Sequence, residues 1–189
     1  MTQVFSELVS RTAAPVVPLA TFKDFVRQDH ADDDTLLTTL LDAATLQAEG
    51  YVQMSLGQQT RELRITGTPA PEVKLDMGPV QSITAVSYTG TDNVEVTLPD
   101  TAYTLDGDAL YPTTNWPSVS GQRPGLFRVV YVAGIVNPDT SPPTVLTNDV
   151  LTGIVLLGQL LYTRSERDNA ILKEAAYRLL DTVRKGQAI

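Results

Sequence analysis

Cysteine is absent from this 189-residue chain, and histidine and tryptophan occur once each, as His30 and Trp116. The first absence removes disulfides, thiolate nucleophiles and thiolate-held metals together, so stability has to come from packing. A single histidine leaves any imidazole-based zinc site or Ser-His-Asp relay hanging on one ring in a polar turn. Positive charge is scarce as well. Fourteen Lys and Arg against 22 Asp and Glu give a net charge of −8 and a pI near 4.5, which argues against a surface that wraps nucleic acid by displacing counterions. Long hydrophobic runs are also missing. The best candidate, residues 153–162, contains Gln159 and falls short of the roughly 18 to 20 residues a bilayer requires, so no membrane span is expected. The start, Met1-Thr-Gln-Val-Phe-Ser-Glu, lacks a basic and apolar export pattern, so the chain is expected to stay where it is made.

What is present is ordinary globular sequence, 42% apolar and 19% charged, long enough for one domain or for a domain with a second inserted in it. Its charge is uneven. Residues 1–163 hold 8 Lys and Arg against 18 Asp and Glu, whereas residues 164–189 hold 6 against 4, a mildly basic tail on an acidic body.

Residues 1–17 are polar and rich in small side chains, with Pro15 near the end, and read as an extended or poorly ordered arm. A short helix follows, with Thr21 as cap, Asp24 three residues on, and Phe22, Phe25 and Val26 as its apolar stripe. A longer helix runs from Asp33 or Asp34 to about Met54, where Leu37, Leu40, Leu41, Ala44, Ala48, Tyr51 and Val52 recur at three- and four-residue steps. Gly57 reads as its stop. From there to about residue 143 the period changes to two and turn signals crowd in, among them Gly78-Pro79 and Asp106-Gly107. Six or seven short strands of a small sandwich or open barrel are expected. A strongly apolar helix over 145–164 and a final helix from Ser165 to Gly186 close the chain. The final helix carries Leu172, Ala175, Ala176, Leu179, Leu180 and Val183 as one stripe. The expected fold is therefore α+β: a four-helix bundle, two helices N-terminal and two C-terminal, with an inserted small antiparallel β domain. The boundaries are an arm over 1–17, a helical domain over 18–57 plus 144–189, and the β domain over 58–143.

No motif for chemistry emerges. Asp29-His-Ala-Asp-Asp-Asp34 gathers carboxylates, but its spacing is not that of an EF-hand, and acidic residues are favoured at a helix start by the exposed N–H groups. Asp106 and Asp108 flank a turn glycine, which explains both. Ser118-Val-Ser-Gly121 is not a nucleophile elbow, and neither a phosphate-binding loop nor a dinucleotide fingerprint occurs. Tyr88, Tyr103, Tyr111, Trp116, Phe127 and Tyr131 lack the interleaved Lys and Arg of a base-stacking platform and read as core and hairpin residues. No enzyme, cofactor or metal is expected. Arg178, Arg184 and Lys185 on the last helix either dock on an acidic partner or solvate a surface.

Three places resemble the head-tail connector, or adaptor, family of tailed bacteriophages and gene transfer agents. Pro18-Leu-Ala-Thr-Phe-Lys-Asp-Phe-Val-Arg followed by Asp32-Asp-Asp-Thr-Leu-Leu-Thr-Thr-Leu-Leu-Asp-Ala-Ala is similar to that family's opening helix pair. Leu75-Asp-Met-Gly-Pro-Val-Gln-Ser-Ile-Thr-Ala-Val-Ser-Tyr88 resembles its most recognisable segment, and Arg128-Val-Val-Tyr-Val-Ala-Gly134 its closing strand. Asp149-Val-Leu-Thr-Gly-Ile-Val-Leu-Leu-Gly-Gln-Leu-Leu-Tyr-Thr-Arg-Ser-Glu166 is similar to its apolar helix. The resemblance implies a structural virion protein in the neck, assembled in the host cytoplasm. It implies a dodecameric ring that binds the portal and links it to the next neck or tail protein, with DNA passing through unread. The expected portal interface is Leu172, Leu179 and Val183 with Arg178, Arg184 and Lys185. The alternatives are another neck component, a stopper or tail completion protein, or a small enzyme with a pocket around Asp106, Asp108 and Tyr111. A carbohydrate- or peptide-binding β domain with an exposed aromatic patch near Trp116 is a third.

Overall fold

The computed structural model describes residues 4–11, 15–120, 126–141, 144–163 and 166–186. In chain order the elements are β1 (Val4–Arg11), α1 (Leu19–Val26), α2 (Asp34–Val52), β2 (Gln59–Thr66), β3 (Val73–Lys74), β4 (Val80–Thr89), β5 (Glu95–Thr97), β6 (Tyr103–Asp106), β7 (Ala109–Pro112), β8 (Leu126–Ala133), α3 (Asn148–Tyr162) and α4 (Glu166–Gly186). The class is α+β, with four helices and two antiparallel sheets. The described residues separate into two compact units, one built from β1 and residues 57–137 and the other from the helices.

In the first unit, β1-β2-β8-β4-β5 form one sheet and β3-β7-β6 a smaller one, and all the pairings are antiparallel. β8 shows why these residues make a strand. Phe127, Val129, Tyr131 and Ala133 are buried, while Arg128, Val130 and Val132 between them are half-exposed, the two-residue period of a sheet with one dry face. The dry face packs with Leu63 and Ile65 of β2, Val86 of β4 and residues of the smaller sheet, Val73, Tyr103 and Leu110. Trp116 closes this core edge-to-face on Phe127, with ring centroids 5.0 Å apart.

β1 corrects only one half of the expectation for the start of the chain, an extended or poorly ordered arm: residues 4–11 are extended and paired. Val4–Arg11 is a strand hydrogen-bonded to β2 from Val4↔Ile65 to Arg11↔Gln59, with an irregularity between Leu8 and Ser10. A second correction concerns the first helix, which begins at Leu19 on Pro18, so Thr21 lies inside it and caps nothing. Proline holds its own backbone extended there (φ −59°, ψ 135°), which ends the preceding segment without a side-chain cap. α2 stops at Gln53, in the left-handed region, four residues before Gly57.

In the helical unit α3 is central, packing on α1, α2 and α4. Two glycines set how closely. A Cβ on Gly158 would stand 2.9 Å from the Phe22 ring, and one on Gly153 would stand 3.1 Å from Leu180. Phe22, Leu37, Leu41, Ala44, Ile154, Leu157 and Leu180 are all essentially without solvent contact. No helix among the described residues is long and apolar enough to cross a membrane.

Candidate functional site

Asp33, Asp34 and Asp108, three of the carboxylates that sequence reading singled out, hold the chain together. Lys23 on α1 donates to the His30 carbonyl at 2.8 Å and pairs with Asp34 in the first turn of α2, while Gln28 donates to Asp33. The acidic turn is thus a clasp between two helices. Among the described residues no group of three or more potential ligands stands close enough to hold a metal ion.

Asp108 has an equally local task. Its carboxylate accepts the Val80 N–H at 2.7 Å and its carbonyl accepts that of Leu75 at 2.8 Å, so the β6–β7 turn is tied to the chain on both sides of Gly78-Pro79. A Cβ at Gly78 would meet the Asp108 carboxylate, so a larger residue there would have to push that carboxylate aside from Val80. Asp106 is exposed, and Tyr111, which is 38% exposed, has its hydroxyl raised by desolvation and then by the charges of Glu72 and Asp106. Tyr103 is buried, and burial together with its hydrogen bond to Asp100 (2.8 Å) pushes its hydroxyl up to about 12. Trp116 is only 9% exposed, which contradicts an aromatic binding patch around it.

The outer face of the five-stranded sheet carries a ladder of charges. Glu62, buried beside two half-exposed arginines, accepts from Arg64 Nε and from Arg128 Nε, the latter at 2.8 Å. Arg64 continues to Glu7 on β1 at 2.8 Å, and Arg128 to Glu95 on β5 at 3.1 Å. Burial alone would raise the Glu62 carboxyl, but the hydrogen bond from Arg64 and the charges of Arg128 and Arg64 outweigh it and hold it below the usual carboxylate range. An open hollow of about 450 Å³ lies beside this ladder, floored by Ser87, Tyr88 and Arg128. Its arginine is already committed to two carboxylates.

On α4 the expected stripe is divided. Ala176 and Leu180 are fully buried, whereas Leu172, Leu179 and Val183 flank them half-buried. Arg178 is exposed and pairs with Glu174 one turn away at 2.6 Å. Arg184 lies 5.4 Å above the Tyr51 ring of α2, whose hydroxyl donates to Asp181, and Tyr51 itself sits against Tyr177 with centroids 4.3 Å apart. The Lys185 side chain lies outside the described residues. Sequence reading missed Ile171, an isoleucine 72% exposed on the outer side of this helix. Its only sequence signal was its place one residue ahead of the stripe.

No protein-family model and no curated protein matches the chain. Solved structures do. The chain is similar to one in the neck of an empty gene transfer agent particle computed with C6 symmetry, with TM-score 0.74 and 20% identity over 95% of this chain and 94% of that one. It is similar to a chain in the virion of a native gene transfer agent particle (TM-score 0.68, 20% identity, 93% and 94% covered). It is also similar to a chain in a native particle neck computed with C12 symmetry (TM-score 0.63, 20% identity, 92% and 94% covered). These likenesses run nearly end to end and establish a shared fold.

Proposed function

We propose that this chain is a structural subunit of a head-tail neck, acting as the adaptor. Copies form a dodecameric ring that binds the portal and passes the load to the next neck or tail protein. The observation that carries this reading is the end-to-end likeness to a chain resident in such necks, with both units of the fold included. The engagement of Asp34 and Asp108 supports it, since both are bound into helix and turn contacts. A net charge of −8 suits a channel wall that lets DNA slide.

The portal contact in this reading is the outer side of α4: Leu172, Leu179 and Val183 with Arg178, Arg184 and Lys185. Removing α4 outright is a poor test, because Ala176 and Leu180 fill the space over Gly153. Arg178→Gln is better. Its partner Glu174 is exposed, so the lost pair costs at most about 0.5 kcal/mol of stability. The expected result is weaker capture of the full-length chain by the cognate portal ring with an unchanged melting temperature. Full-strength binding of this variant and of Arg184→Glu would remove α4 from the interface. Attachment to a preformed adaptor ring in place of the portal would make the chain a stopper or tail completion protein.

A further inference from the structure

Among the described residues the five-stranded sheet is open at both borders, and the two borders match. On β1 every described side chain except Ser6 is exposed, with Val4, Leu8 and Val9 exposed by 56%, 42% and 53%. Of the devices that keep a free edge from pairing, the strand lacks proline and lysine, and its one irregularity lies beyond Leu8, away from Val4. On β5 all three residues are exposed. The Leu98 N–H bonds the Val86 carbonyl, so with Ser87 opposite Thr97 the backbone groups of Glu95 and Thr97 point away from β4. They have no backbone partner among the described residues.

A row of apolar side chains crosses the whole sheet. Val4 stands opposite Ile65, Ile65 opposite Phe127, Phe127 opposite Tyr88 and Tyr88 opposite Val96. Its middle is dry, Phe127 being fully buried, while its ends are 56% and 39% exposed at Val4 and Val96. The row stops at each border without being covered. Four successive antiparallel pairings also leave β1 and β5 pointing the same way. Copies related by a small rotation about a ring axis keep that common direction, so a join between them has to be parallel.

We propose that β5 of one copy and β1 of the next lie side by side as parallel strands with Val96 abreast of Val4, fusing the sheets of a ring edge to edge. The inference rests on the ring reading given above. The charge ladder selects this register. It ends in a carboxylate at each border, Glu7 and Glu95. With Val96 beside Leu8, Glu7 and Glu95 would stand abreast, which is unfavourable. With Val96 beside Val4 they lie four residues apart along the strands, about 13 Å at ~3.3 Å per residue, beyond the ~8 Å screening length of physiological salt.

The absence of native cysteine makes the test clean. Neighbouring strands stand about 4.8 Å apart, within disulfide reach. The full-length double variant Val4→Cys, Val96→Cys, assembled on portal rings and oxidised, is expected to give a ladder of covalent multimers on a non-reducing gel. The pair Leu8→Cys, Val96→Cys is expected to cross-link at least tenfold less. Thr97→Pro removes one outward N–H without touching the β4–β5 ladder, and should lower ring yield while the chain's own melting transition stays in place. Rings seen by imaging with no ladder, or with ring yield unaffected by Thr97→Pro, would overturn the edge fusion and leave the ring intact. Dimers from Val4→Cys alone would also overturn it, by showing a two-fold β1–β1 contact. Failure of the unaltered chain to form rings on the portal would overturn the ring reading and this inference with it.

Discussion

Gly158 and Gly50 separate two consequences of the same substitution. Alanine at either site gains the helix preference that glycine lacks, about 0.5 to 1 kcal/mol. At Gly50 nothing stands within 4 Å of the new methyl group, so Gly50→Ala should stabilise by about that amount. At Gly158 the methyl meets the fully buried Phe22 ring, and overpacking costs about 1 to 3 kcal/mol, so Gly158→Ala should melt lower. Thermal unfolding of the two variants checks the signs. Glu62 makes a prediction in pH. Its folded pKa lies below the unfolded value near 4.5, so the stability it supplies is full above that value and is lost as pH falls through the lower one. Glu62→Gln should be less stable at neutral pH by about 1 to 3 kcal/mol, since two arginines lose their shared anion. It should also show a shallower decline in urea unfolding as the pH falls below 4.5.

At the level of elements, β8 should exchange more slowly than β1 and β5, because it is paired on both sides, with β2 and β4, whereas they are paired on one side. Hydrogen exchange on the free chain is expected to rank β8 above both borders, and equal protection would contradict the pairing order. β8 was also plain from sequence, because its alternation is local and each buried residue follows the last by two. The helices were plain for the same reason, since Leu37, Leu41, Ala44 and Ala48 state a face within four turns. β1 was not, because its partner β2 is separated from it by α1 and α2, and nothing within eight residues reports a neighbour so distant. The roles of Asp108 and Lys23 were hidden likewise. Turn propensity explains an Asp beside Gly107, but only the fold brings Gly78 and Val80 under its carboxylate. The stripe on α4 was legible as apolar and illegible as divided, since which of its leucines meets α3 depends on Gly153.

For the molecule as a whole, acidity predicts indifference to nucleic acid. With its net charge of −8, the free chain should leave duplex DNA unretarded in a gel at about 0.15 M salt, because binding would add like charge without freeing counterions. A salt-sensitive shift would mean that the basic tail outweighs the body. The path of the chain carries a different consequence. It starts β1, leaves to make α1 and α2, returns for β2 through β8, and only then supplies α3 and α4. During synthesis at about 5 to 20 residues per second, the leucines of α2 therefore wait roughly 5 to 20 seconds for the helix that will cover them. A nascent polypeptide arrested near residue 137 would hold a nearly finished sheet and a bare greasy helix, an invitation to chaperones and proteases that the completed subunit no longer extends.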